Sequence, residues 1–171
     1  MKNLFQIFLL AAVMLFSVSA YAQSHVKFVI KNAGFNTSGS FSDFKANINY
    51  DKNNQRASTF SGTIKTTSVN TSNNARDNHL RKDDFFDVAK YPEMTFKSTG
   101  VSPVSSSKIK VVGDLTIKNV TKKVVFDVNV SESGGKTVFT TSLTINRLDY
   151  GVGTSSWTLA NELTMDLRFE K

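Results

Sequence analysis

The stretch KIKVVGDLTIKNVTKKVVFDVNV, residues 108–130, decides the fold. Ile109, Val111, Leu115 and Ile117 recur on one face, while Lys108, Lys110, Val112, Asp114, Thr116 and Lys118 take the other. Val124, Phe126, Val128 and Val130 repeat the pattern. A period of two is the signature of a strand with one buried face and one wet face. Working outward, the same alternation appears in HVKFVIK (Val26, Phe28, Ile30), FKANINY (Phe44, Ala46, Ile48, Tyr50) and TFSGTIK (Phe60, Gly62, Ile64). It continues in EMTFKST (Met94, Phe96) and VFTTSLTINR (Phe139, Leu143, Ile145). WTLANELTMDLRF closes the chain with Trp157, Leu159, Leu163, Met165, Leu167 and Phe169.

These runs predict eight antiparallel strands. DKNNQ (51–55) and ESGG (132–135) carry turn chemistry between alternating segments. Pro92 and Pro103 fall at strand margins, where a missing N–H does no harm. Eight such strands in one domain form a sandwich or a barrel, all-β in either case. The outward faces carry Lys, Asp, Glu and Arg, and a charge near a bilayer midplane costs about 2–4 kcal/mol, so a membrane-spanning barrel is excluded. A barrel of this size is either filled by side chains or holds one small ligand. Gly62 and Gly113, on otherwise apolar faces, either leave room inside or relieve twist.

The first residues speak to compartment. Lys2 precedes an uncharged apolar run from Leu4 to Ala20, and Ala20-Tyr21-Ala22 fits a signal-peptidase site. Residues 1–22 read as a cleaved signal peptide and 23–171 as one domain, periplasmic or secreted. Removing Lys2 from the 21 basic residues leaves 20 against 14 acidic ones, a net charge of +6. The lysines are dispersed, with no basic run or aromatic-basic motif, so nucleic acid is not an expected partner. There is no cysteine, hence no disulfide framework and no lipid-modified N-terminal cysteine.

One segment breaks the alternation. RDNHLRKDDFFDVAKYPEMTF (76–96) is preceded by Asn73 and Asn74, fair helix N-caps, and can make two or three helical turns. Pro92 then forces Tyr91 toward an extended backbone and restarts the sheet. A helix followed by Phe85 and Phe86, inserted between the third and fourth strands, is placed to close one barrel end. Asp77 and His79 are two apart and diverge on a helix. With His25 as the one other histidine, both a catalytic base–acid pair and a metal site lack residues. The expectation is a structural clamp, with Arg76, Asp77, Arg81 and Asp84 pairing locally, and no catalytic or metal residue.

Several stretches in order give a resemblance. Residues 67–101, TSVNTSNNARDNHLRKDDFFDVAKYPEMTFKSTGV, resemble the YceI family signature of RD-x-HL, a D-FFDV-like stretch and YP-x-x-F. VVGDLTIKNVTKKVVFDV (111–128) and INRLDYGVG (145–153) are similar to it as well. One departure is the short lead-in, since SHVKFVIKNAGF follows the cleavage site almost directly. A shortened start would open one end of the barrel or weaken its first pairing.

The resemblance implies a lipocalin-like barrel and an exported carrier rather than an enzyme. It implies a long isoprenoid lipid, a polyprenyl chain or an isoprenoid quinone, as ligand, with no other cofactor. The expected lining is drawn from Phe28, Ile30, Phe44, Ile48, Phe60, Ile64, Phe96, Val111, Leu115, Phe126, Phe139, Leu143, Trp157 and Leu159, with Leu80, Phe85 and Phe86 as the lid. Arg76, His79 and Arg81 are placed near a head group, or else form solvated ion pairs. A filled interaction module and, at greater distance, a lipid- or amide-modifying enzyme using Asp77 and His79 remain open at this stage. So do transient membrane contact, a homodimer and the end at which the barrel opens.

Overall fold

The computed structural model describes residues 23–171; the expected signal peptide and its cleavage site lie outside them. The elements are β1 (His25–Asn32), β2 (Phe35–Phe41), β3 (Phe44–Asn49), β4 (Thr59–Lys65), β5 (Val69–Asn70), α1 (Asn74–Leu80), β6 (Glu93–Ser105), β7 (Lys108–Ile117), β8 (Val120–Ser133), β9 (Lys136–Asn146) and β10 (Leu159–Glu170). They form one antiparallel curled sheet in the order β3-β4-β6-β7-β8-β9-β10-β1-β2-β5. Among the described residues no helix is long and apolar enough to cross a membrane.

The expected eight strands are therefore ten. β2, FNTSGSF, was missed because Asn36, Ser38 and Ser40 alternate with Thr37 and Gly39 in its middle, leaving Phe35 and Phe41 at its two ends as the only apolar marks of its inner face. It forms nonetheless because β1 pairs with it from Val26↔Phe41 to Asn32↔Phe35, and Gly39 lies under the ring of Phe28. A Cβ at Gly39 would overlap that ring, so the glycine makes room for the phenylalanine. β5 was missed because two residues are too few to show a period. The helix consequently lies between the fifth and sixth strands, not the third and fourth.

The ends of the sheet meet through the chain itself. β2 runs into β3 across Ser42 and Asp43, and β4 runs into β5 across a 3-10 turn, Thr66–Ser68. The β2–β5 pairing (Phe41↔Val69) thus continues the β3–β4 hairpin (Phe44↔Ile64) past a break. The Lys65 N–H donates to the Asp43 carbonyl across that break at 2.9 Å. The other edge of β3 has no ladder partner among the described residues. There the edge-on Phe44–Phe169 contact, ring centroids 5.9 Å apart, spans the seam between β3 and β10. The first pairing is not weakened by the short lead-in, because β1 is laddered on both sides from Val26 onward.

Inward residues build two clusters. One is solid: Ile109 and Val111 have no exposed surface, and Val101, Val128, Phe60 and Phe139 close around them. Tyr50 and Phe60 each meet Phe139 edge-on, at 5.3 and 5.7 Å, and plug this end of the curl. The other cluster surrounds Val26, Phe28, Phe41, Met94, Met165, Tyr150 and Val152, with Leu80, Phe85 and Phe86 packed on it from the helical segment.

Candidate functional site

The helical segment is fastened over the end opposite the aromatic plug. Asn73 caps α1, its side chain accepting from the Arg76 N–H at 3.0 Å. Asp77, 5 % exposed, turns away from solvent and accepts from both the backbone N–H and the hydroxyl of Thr71. Arg76 donates to the Thr71 hydroxyl and carbonyl, and Arg81 donates to the carbonyls of Thr67 and Val69. α1 is thereby tied to the short strand β5. Beyond it, the N–H groups of Phe86, Asp87 and Val88 fold back onto the carbonyls of Leu80, Lys82 and Arg81. This is the structural clamp expected from the sequence, in a single helix of seven residues.

Beneath the clamp three apolar cavities stand in line. The upper one, about 180 Å³, is lined by Phe28, Ile30, Leu80, Phe85, Phe86, Leu159 and Leu163, with Asn32, Thr37, Thr71, Arg76, His79 and Arg147 as its polar groups. A middle space of about 50 Å³ lies among Phe28, Phe41, Phe86, Met94, Ile117, Ile145 and Met165. The third, about 110 Å³, is lined by Phe44, Ile48, Phe60, Ile64, Phe96, Leu115, Phe126, Phe139 and Leu143, and reaches the seam at Phe169. Successive cavities share walls: Met94 and Met165 separate the third from the middle, Phe28 and Phe86 the middle from the upper. Met94 and Met165 are unbranched side chains, which adapt their shape more readily than branched ones. The cavities follow one another from the clamp toward the plug, divided by these side chains.

Fifteen of the seventeen residues expected as lining or lid border these cavities. Val111 does not; it is fully buried in the solid cluster. Trp157 is a correction. It lies before β10 begins and is 97 % exposed, because residues 151–158 are held off the sheet as a loop. Gly151 and Gly153 in this loop take left-handed backbone (φ 65° and 70°), and Gly153 leaves space for Phe85 and Arg147. Gly113 is not an empty site, since the Phe96 ring covers it, whereas Gly62 borders the third cavity.

The expected lining also omitted Met94, Met165 and Leu163, and it omitted Arg147. Only 2 % exposed, its guanidinium donates to the carbonyls of Val152, Thr154, Leu159 and Ala160, and among the described residues no carboxylate lies within ion-pair distance. Burial pushes its pKa below the usual arginine value. Its one legible signal was the turn chemistry of Gly151 and Gly153 just downstream, which gives no hint that the arginine points inward. Tyr150, also buried, has its hydroxyl pKa raised by desolvation and by Asp149.

Chemically the site is poor in reactive groups. His79 Nε2 lies 2.8 Å from an Asp84 oxygen, and that hydrogen bond holds the Asp84 carboxyl below its ordinary range. Asp77 faces Thr71 instead, so Asp77 and His79 do not form a pair. Among the described residues no three His, Cys, Asp or Glu side chains converge as metal ligands.

A family model described as a YceI-like domain matches residues 17–171. Protein YceI of Escherichia coli O6:H1 is 39 % identical over 110 residues, covering 64 % of this chain and 57 % of that protein. The chain thus spans a little over half the length of that relative. The crystal structure of BcnA from Burkholderia cenocepacia superposes with a TM-score of 0.83 at 28 % identity, covering 86 % of this chain and 96 % of that one. A polyisoprenoid binding domain from Saccharophagus degradans superposes with a TM-score of 0.69 at 19 % identity, covering 86 % and 92 %, a likeness of fold alone.

Proposed function

The chain belongs to the YceI-like family, and on that premise we propose that it is an exported carrier holding a long isoprenoid lipid along the channel of its curled sheet. The observation that carries this reading is the line of three apolar cavities running from the clamp to the plug. The upper cavity carries Arg76, His79 and Arg147 beneath the clamp, while Lys45, Ser61, Thr63, Thr95 and Thr141 border the third cavity near the seam. An amphiphile would lie with its tail among Phe96, Leu115, Phe126 and Leu143 and its head near Arg76 and His79. The Saccharophagus degradans domain of the same fold is a polyisoprenoid binding domain, which supports a polyprenyl chain or an isoprenoid quinone as the cargo.

Binding of this kind needs shape more than chemistry. At about 0.3 kcal/mol per heavy atom, a chain of roughly 40 heavy atoms reaches about 12 kcal/mol, near nanomolar. The Asp77 carboxylate accepts from the backbone N–H and hydroxyl of Thr71 rather than from His79, so the Asp77–His79 pair that a lipid-modifying enzyme would use is not formed. Export rests on the apolar run and the Ala20-Tyr21-Ala22 site.

Native mass spectrometry of protein purified from its exported form, followed by solvent extraction, tests the proposal. A one-to-one adduct that extracts as an isoprenoid supports it. A bare mass that stays bare after incubation with polyprenyl lipids overturns it.

A further inference from the structure

Two of the largest exposed apolar side chains of the molecule stand together on one rim. Trp157 is 97 % exposed and Phe35 is 77 % exposed. The Ala33 N–H donates to the Thr158 carbonyl at 2.7 Å, which fastens the β1–β2 turn to the Trp157 loop. Phe35 pairs with Asn32, and Asn32 pairs with Leu159, so the three lie side by side across three strands. With strands about 4.8 Å apart, Phe35 and Leu159 are roughly 10 Å from one another.

The position of this pair relative to the channel is the informative part. Asn32, Thr37 and Leu159 line the upper cavity. Phe35 shares the face of Thr37 and Phe41, whose side chains turn inward, so it prolongs the cavity wall beyond the rim. Trp157 stands two residues before Leu159 on the adjoining loop. The apolar lining therefore continues out of the barrel as a lip.

We propose that this lip, Phe35 with Trp157, is a docking surface for a lipid bilayer, through which cargo passes between the membrane and the upper cavity. The proposal rests on the carrier reading. A bilayer fits the lip better than a protein does. Two aromatic side chains offer roughly 150–250 Å² each, well short of the roughly 800 Å² per partner of a stable protein interface. Tryptophan is enriched where one end of a side chain meets hydrocarbon and the other meets head groups. Exposed Lys31, next to Asn32, and the net charge of +6 outside residues 1–22 favour an anionic surface.

The chain supplies its own reporter, because Trp157 is its single tryptophan. Protein purified from the cell is titrated with vesicles of phosphatidylethanolamine and phosphatidylglycerol. The expected result is a blue-shifted emission, quenched by lipids brominated on their acyl chains. Phe35→Ser should weaken vesicle binding about tenfold with an unchanged urea midpoint, and Phe35→Leu should retain most of it. An emission unmoved at saturating vesicle would overturn the proposal. So would a shift that needs no vesicle and grows with protein concentration, which would mark a second copy of the chain. Native mass spectrometry on the same samples separates the two readings. Bound lipid without vesicle docking removes the lip alone, and docking without bound lipid at any stage removes the carrier.

Discussion

Arg147 is the residue on which the loop between β9 and β10 hangs, and replacing it by methionine measures how much. The substitution keeps an unbranched chain and deletes a guanidinium that donates to four carbonyls, three of them at 2.8–2.9 Å. A hydrogen bond from a charged donor contributes about 1.5–3 kcal/mol. Three such bonds would give about 5–9 kcal/mol if every carbonyl stayed buried and unpaired. Two effects reduce that figure. The Thr154 carbonyl belongs to an exposed stretch and can turn to water, and removing a buried charge recovers part of its desolvation cost. The Val152 carbonyl lies in the core and cannot turn outward. A net loss of about 3 kcal/mol follows, equivalent to a fall of about 6–12 °C in Tm for a domain of this size. Urea denaturation reads it as a lower midpoint at constant slope. Trp157 anisotropy should drop as well, because the loop that carries it is released. Arg147→Lys should rescue little, since an ammonium cannot fork among four carbonyls. A loss below about 1 kcal/mol, or full rescue by lysine, would refute the role given to this guanidinium.

Phe86→Ala removes a half-buried ring that stands between the upper and middle cavities and meets Phe41 edge-on at 5.8 Å. It should cost about 2 kcal/mol, below the 3–5 kcal/mol of a fully buried phenylalanine, and raise the off-rate of bound lipid severalfold; an unchanged off-rate in a folded variant removes the lid. Leu115→Arg places a charge in the third cavity, so it should unfold the sheet or abolish lipid uptake, and normal melting with normal uptake would contradict the inward face assigned to β7. Glu170 accepts from Lys136 and Arg168 at 3.1 Å each, which holds its carboxyl below the usual range, as His79 does for Asp84. A carboxyl depressed in the folded state contributes stability above its unfolded pKa and loses it as pH falls through the folded one. Urea midpoints should therefore decline below about pH 4.5, and the Glu170 titration followed by NMR should move upward in Lys136→Ala.

Most of the wall was legible in the sequence because strands with one wet face announce themselves. Phe44, Phe60, Leu115 and Phe126 sit where their period of two placed them, facing a cavity. β2 was hard to see because its central inward positions are Thr37 and Gly39, with Gly39 making room for Phe28 from the neighbouring strand, and a single run carries no trace of its neighbour. Trp157 misled for the converse reason: it keeps phase with Leu159, but two left-handed glycines and a buried arginine hold its segment away from the ladder. The clamp was legible as a cap, a short helix and a proline restart. That Asp77 would turn to Thr71 rather than to His79 depends on where β5 lies, which only the folded chain decides.

The central claim is that the cavities form one channel that takes a linear tail. Calorimetric titration with polyprenyl alcohols of increasing length tests it most directly. Each five-carbon unit entering the channel should add about 1.5 kcal/mol, roughly tenfold in affinity, until the tail reaches the plug at Phe60 and Phe139. A steep rise that levels off at a definite chain length is the expected result. An affinity independent of length, or too weak to measure at every length, would contradict it.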